Sequence, residues 1–155
     1  MATMEFVVQP VAWVRGGRVE AVDDGWDEVR CTIELDPRFA VESIAGLEEF
    51  SHLDVVFLFH GVDEADVVSG ARRPRGRADW PEVGIFAQRG RVRPNRLGVT
   101  TCRLEGVEGT RLHVRGLDAI DGTPVLDLKP HLAEFGPRGQ VEQPAWSHEI
   151  MEQYW

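Results

Sequence analysis

Residue types able to do chemistry concentrate in three segments: ARRPRGRADWP at 71–81, IFAQRGRVRPNRLG at 85–98 and GLDAIDGTPVLDLKP at 116–130. Guanidinium groups grip carboxylate or phosphate as a planar fork, so the first two segments suit an anion. In the third, a carboxylate, a hydroxyl and the amides of the turn Asp121-Gly122-Thr123-Pro124 could together hold a ribose or an amine, although Asp-Gly is equally an ordinary turn dipeptide. Arg93-Pro94-Asn95 carries the same two readings, because proline presets φ and asparagine bonds its own backbone. A histidine placed like His60, at the end of an apolar run, is more often a hydrogen-bonded core group than a catalyst.

The common enzyme signatures are missing. No GxGxxG follows a strand, and GxxxxGK, HExxH and GxSxG do not occur, so Rossmann methyltransferases, dehydrogenases, kinases and serine hydrolases lack their usual residues. Cys31 and Cys102 stand far apart with no CxxC and no histidine at zinc spacing. Both are expected in strands as small buried hydrophobes, with no metal site and no disulfide framework.

Those segments must be presented by a scaffold. Residues 5–14, rich in valine and broken by Pro10, predict a first strand at a sheet edge, where a missing donor is tolerated. Residues 29–35 alternate apolar and polar and predict a half-buried strand. Val41, Ile44, Leu47 and Phe50 fall at helical spacing within 39–50, which predicts a short amphipathic helix. Residues 53–60 are almost all apolar and predict a central strand buried on both faces. A twenty-residue stretch from 61 to 81 reads as structureless, and such loops are usually functional or mobile. Beyond it the pattern predicts a short strand at 83–87, a loop at 88–96 closed by Pro94, a hairpin of 97–107 with 111–117 around Glu108 and Gly109, and a last strand at 125–128. A final helix over 147–154 would take Ser147 as its N-cap. Without βαβ alternation, the fold class is mainly β with minor α, a small mostly antiparallel barrel or sandwich.

One domain is what 155 residues suggest. No apolar run approaches a membrane span, and MATMEFVVQP has no basic region ahead of an apolar one, so no membrane and a cytoplasmic location are expected. The net charge of −9 disfavours general nucleic-acid binding. Yet between Arg72 and Arg103 there are nine arginines against two acids, a local +7 on a remainder of −16. That block is either a solvated loop or a local anion site.

Taken together and in order, these segments resemble the TsaA-like or TrmO family. The resemblance runs through GLEEFSHL at 46–53, VVFLFH at 55–60, GIFAQR at 84–89, RPNRLG at 93–98 and LDAIDGTPVLDLKPH at 117–131, and covers about residues 6 to 135. It implies a small β-barrel at 1–135, unlike a Rossmann fold, with a tail at 136–155 packing on the barrel or on a dimer partner. It further implies S-adenosyl-L-methionine as cofactor and N6-threonylcarbamoyladenosine in tRNA as methyl acceptor, in a homodimer with the cofactor near the subunit interface. Carried over by position, the cofactor meets His60, Gly61, Arg89, Leu117, Asp121, Gly122, Thr123 and Pro124. Arg72, Arg73, Arg75, Arg93, Asn95 and Arg96 are the candidates for the acceptor, and no catalytic residue is assigned. The chain departs from the family pattern at Arg96, where the family has proline, at His131, where it has tyrosine, and in VRGGRVEAVDDGW at 14–26. Two alternatives stand beside the tRNA reading: a methyltransferase of a small molecule, and a cofactor-binding module without turnover.

Overall fold

A computed structural model describes residues 2–155. Six antiparallel strands close into a barrel: β1 Ala12–Arg15, β2 Arg30–Leu35, β3 His52–Leu58, β6 Leu97–Glu108, β7 Arg111–Arg115 and β8 Pro124–Pro130, in the order β1-β2-β7-β6-β3-β8. A separate two-stranded ribbon joins β4 Ala71–Arg72 to β5 Val83–Gly84. Alternate residues point inward, and Val14, Ile33, Leu53, Val55, Phe57, Leu112, Val114, Leu117 and Val125 fill the interior at no more than 1% exposure. Cys31 and Cys102 lie buried in that interior as free thiols.

The hairpin forms where the pattern placed it, with Gly109 at φ +59 in the turn. Several other elements differ, and closure explains two of them. The first strand is only β1 and it is not an edge, since it pairs with both β2 and β8. Pro10 interrupts it, and residues 2–9 are exposed. β3 is not buried on both faces: Leu53, Val55 and Phe57 point inward while His52, Asp54, Val56 and Leu58 stay half-exposed, because a barrel has a single inside. The expected helix at 39–50 is instead two 3-10 turns, Val41–Ile44 and Leu47–Glu49, parted by Gly46 at φ +93. Ile44 is buried, but Val41 remains 51% exposed, so the apolar stripe is not used as one face.

The strand expected at 83–87 stops at Gly84 and continues as a 3-10 turn, Ile85–Ala87. The last strand is longer than its apolar core suggested, running to Pro130. The final helix is α1, Ala145–Met151, with Pro144 at its N-cap; Ser147 lies inside the first turn and donates Oγ to the Pro144 carbonyl at 2.6 Å. The segment 61–81 is not structureless. It holds 3-10 turns at Glu64–Asp66 and Pro74–Gly76 and is tied down by Val68 N to Val92 O at 2.8 Å and by the β4–β5 ribbon.

Candidate functional site

Beyond β3 the chain turns at 59–62, and beyond β7 it passes through a loop at 116–123 before β8; these two connections meet. A Cβ on Gly122, which sits at φ +81, would lie 3.8 Å from His60 Nε2, and one on Gly61 would lie 4.0 Å from Ile120 Cδ1. His60, Gly61, Asp121 and Gly122 thus share one end of the barrel. His60, Gly61 and Asp121 are exposed there, and Gly122 is partly so. The positive φ at Gly122 suits glycine, and its missing side chain leaves the histidine ring room over the turn.

The hydrogen bonds of the Asp-Gly turn show which of its groups are already engaged within the protein. Asp121 N donates to Arg18 O at 2.7 Å, Gly122 N to Val14 O at 2.8 Å and Thr123 N to Ile120 O at 3.2 Å. Thr123 Oγ1 also donates to Ile120 O, at 2.6 Å. The amides and the hydroxyl that the sequence offered to a ligand therefore hold the loop instead. Asp121 Oδ1 accepts from Gly16 N at 2.8 Å, and the residue is exposed, so its carboxylate is the feature of this turn open to a ligand. Leu117 is wholly buried in the core, Thr123 is 2% exposed, and Pro124 is buried; only backbone atoms of these three can face a ligand.

The turn 93–96 braces the histidine side. Phe59 N donates to Arg96 O at 2.8 Å, and Arg96 Nη1 donates to Val62 O at 2.7 Å, so one residue grips both ends of 59–62. Asn95 and Arg96 both adopt positive φ, +64 and +51. Consecutive non-glycine residues in this region are strained by about 1–3 kcal/mol each, strain that collects at functional sites. A cavity of about 570 Å³ opens beside the turn, lined by Glu64, Val67, Ser69, Pro94, Asn95 and Arg96. A second one, of about 450 Å³, lies between the 39–50 segment and β8 and contains none of the expected site residues.

Most of the arginine block is internally engaged. Arg89 Nη2 donates to Val99 O at 2.8 Å, Arg91 Nη1 to Ala21 O at 2.9 Å and Arg93 Nη1 to Gln88 O. Arg73 holds Trp80 O, and Arg77 pairs with Asp79 and lies over the Trp80 ring with 4.1 Å to its centroid. Arg75, at φ +53, forks onto Asp24 at 2.9 and 3.3 Å and reaches Ile150 O at 3.2 Å. Arg72 makes one long bond, Nε to Arg73 O at 3.4 Å, and is the least committed of the candidate arginines. These groups brace the loops through their bonds to carbonyls and carboxylates, and a guanidinium with five donors keeps the rest of its fork for a ligand.

Three residues here were not among the expected site residues: Thr100, Asp118 and Tyr154. Both Thr100 Oγ1 and the Tyr154 hydroxyl donate to the Asp118 carboxylate, one to each oxygen. Burial first, and then the Asp118 carboxylate, push the Tyr154 hydroxyl well above the ordinary tyrosine value, so it stays a donor. Only the string LDAIDGTP hinted at Asp118, and nothing in the sequence linked it to a tyrosine thirty-six positions away.

Comparison with known proteins follows the same segments. Residues 22–136 match the family model described as the tRNA-methyltransferase O N-terminal domain. The chain is 42% identical over 93 residues to the mouse tRNA (adenine(37)-N6)-methyltransferase, covering 60% of this chain and 21% of that protein. It thus spans about a fifth of that relative's length. A probable S-adenosyl-L-methionine-binding protein of Methanothermobacter thermautotrophicus is 35% identical over 144 residues, covering 90% of this chain and 99% of that one. Among solved structures, the crystal structure of TrmO from P. aeruginosa superposes with a TM-score of 0.75 at 32% identity, covering 94% of this chain and 63% of that one.

Proposed function

Because the chain belongs to the tRNA-methyltransferase O N-terminal domain family, we propose that it binds S-adenosyl-L-methionine at the 60–61 and 117–124 end of the barrel and methylates N6-threonylcarbamoyladenosine in tRNA. The observation that carries this reading is the meeting of His60 and Gly61 with the Asp121-Gly122 turn. The donor set fits the cofactor. Asp121 offers a carboxylate to an amine or sulfonium cation, Arg89 keeps donors beyond its Val99 bond for a carboxylate, and the two glycines leave backbone uncovered. Leu117, Thr123 and Pro124 would contribute backbone contacts.

When bound, the cofactor supplies an electrophilic methyl group. The protein's share is alignment: the strained 93–96 turn fixes 59–62, and the pinned amides fix 121–123, so these loops need little reorganisation. A cytoplasmic homodimer belongs to the same reading. Leu97 and Val99 on β6, exposed by 42 and 50%, and Phe86 in the 85–87 turn, exposed by 75%, are apolar surface that a second copy would cover. The acceptor would be approached from Arg72, Arg73, Arg75, Arg93, Asn95 and Arg96.

The internal bonding of those arginines favours a second reading, methyl transfer to a small molecule, since few of them present an uncommitted fork to a phosphate chain. One set of measurements separates the two. Calorimetry should show cofactor binding, and no heat at millimolar cofactor removes both. Methylation of tRNA should fall steeply with salt, each phosphate neutralised in single-stranded RNA contributing about −0.7 to the log–log slope. A flat salt dependence, with no methylated nucleoside in treated tRNA, leaves the small-molecule reading.

A further inference from the structure

The C-terminal segment folds onto the candidate site, and it is tied to the cofactor loop by two routes. Tyr154 reaches Asp118 directly, sharing its carboxylate with Thr100. Asp118 stands between Leu117 and Ala119, exposed by 0 and 3%, so the backbone on both sides of it is anchored in the core. The second route runs through 18–26. Trp26 N donates to Tyr154 O at 2.8 Å and Gly25 N to Gln153 O at 2.9 Å. The Arg18 guanidinium holds the carbonyls of Asp24 and Gly25 at 2.6 Å each, while Arg18 O accepts from Asp121 N at 2.7 Å. Tail, 24–26 segment, Arg18, Asp121 and Asp118 therefore form a closed circuit. Glu149, which accepts from Trp80 Nε1 at 2.8 Å, and Arg75, which joins Asp24 to Ile150 O, keep the helix end of the tail in place.

We propose that Tyr154 is a positioning residue whose hydroxyl, acting through Asp118, sets the 117–124 loop for the cofactor, so that cofactor binding and tail docking stabilise each other. The inference rests on the S-adenosyl-L-methionine reading and adds to it a residue outside the matched segments. Coupling of this kind is reciprocal: whatever affinity the docked tail gives the cofactor, the cofactor returns as tail docking. A closed circuit suits such coupling, because Asp118 is bonded by the tail itself and Asp121 by Arg18, whose guanidinium holds the 24–26 segment that bonds the tail.

The test is a cycle of Tyr154→Phe, Asp118→Ala and both together, with S-adenosyl-L-methionine affinity measured by calorimetry and amide exchange measured with and without it. A hydrogen bond to a charged group should translate into about a ten-fold rise in Kd for Tyr154→Phe, with no further loss when the substitution is added to Asp118→Ala. Cofactor should slow exchange at Gly25 and Trp26 in the unaltered protein and not in Tyr154→Phe. Unchanged affinity in Tyr154→Phe, or a full additional loss in the double variant, overturns the proposal. Should Asp118→Ala not fold, Thr100→Val replaces it, and Tyr154→Phe must again lose less in that background. If the unaltered protein takes up no cofactor, the functional reading fails by itself. Exchange at Gly122 and Thr123 then decides the inference: faster in Tyr154→Phe upholds loop setting, and no change removes it.

Discussion

Gly98 offers the sharpest perturbation of the barrel beside the site. It is buried on β6 directly opposite Phe57 on β3, and an added Cβ would lie 2.5 Å from Phe57 Cζ, 2.6 Å from Cε2 and 2.9 Å from Phe59 Cζ. Neither ring can yield easily: Phe57 is 1% exposed and meets Phe59 edge to face at 5.3 Å. Overpacking of a filled core costs about 1–3 kcal/mol, and a contact this short against an aromatic ring belongs at the upper end. Reduced freedom of the unfolded alanine chain returns about 0.4–1 kcal/mol. Gly98→Ala should therefore destabilise by about 2 kcal/mol, lowering the melting midpoint by about 4–8 °C for a domain of this size. Because Phe59 precedes His60, cofactor affinity should fall as well. Phe57→Leu clears space, so the double variant should be more stable than the two single losses combined imply, with coupling of about 1 kcal/mol or more in a thermal melt. An unchanged midpoint in Gly98→Ala, or strict additivity, would refute the steric argument.

The sole tyrosine of the chain is Tyr154, so the ultraviolet band of tyrosinate reports it alone. Its native hydroxyl holds the proton above the ordinary range while an unfolded chain releases it near pH ~10; the stabilisation is intact below that pH and lost as pH rises through the native value. A native titration with an ordinary midpoint would contradict the Asp118 contact. Burial pushes the thiols of Cys31 and Cys102 up to about 12, so a thiol reagent at neutral pH should label neither until the barrel is denatured. Stoichiometric labelling of the native protein would place them outside the core.

Much of the barrel was legible because its period is local. Ile33, Leu35, Leu112 and Val114 alternate with polar neighbours, and a glycine between β6 and β7 supplies the turn, so strand and hairpin follow from nearest-neighbour geometry. The juxtaposed motifs likewise stood in the sequence as His60 and Gly61 and as the turn at 121–124. Only the tertiary structure decided what those groups are free to do. An Asp-Gly turn looks the same whether its amides face solvent or, as here, the carbonyls of Val14, Arg18 and Ile120. An arginine run likewise looks the same whether its forks are open or closed on Val62, Trp80 and Asp24. Ring closure turned an apparent edge strand and an apparently two-sided buried strand into ordinary staves. Tyr154 joined the site with no sequence signal at all. Hydrogen-bond partners distant in the chain leave no periodic trace, because their pairing depends on where the closed barrel delivers its ends rather than on the residues beside them.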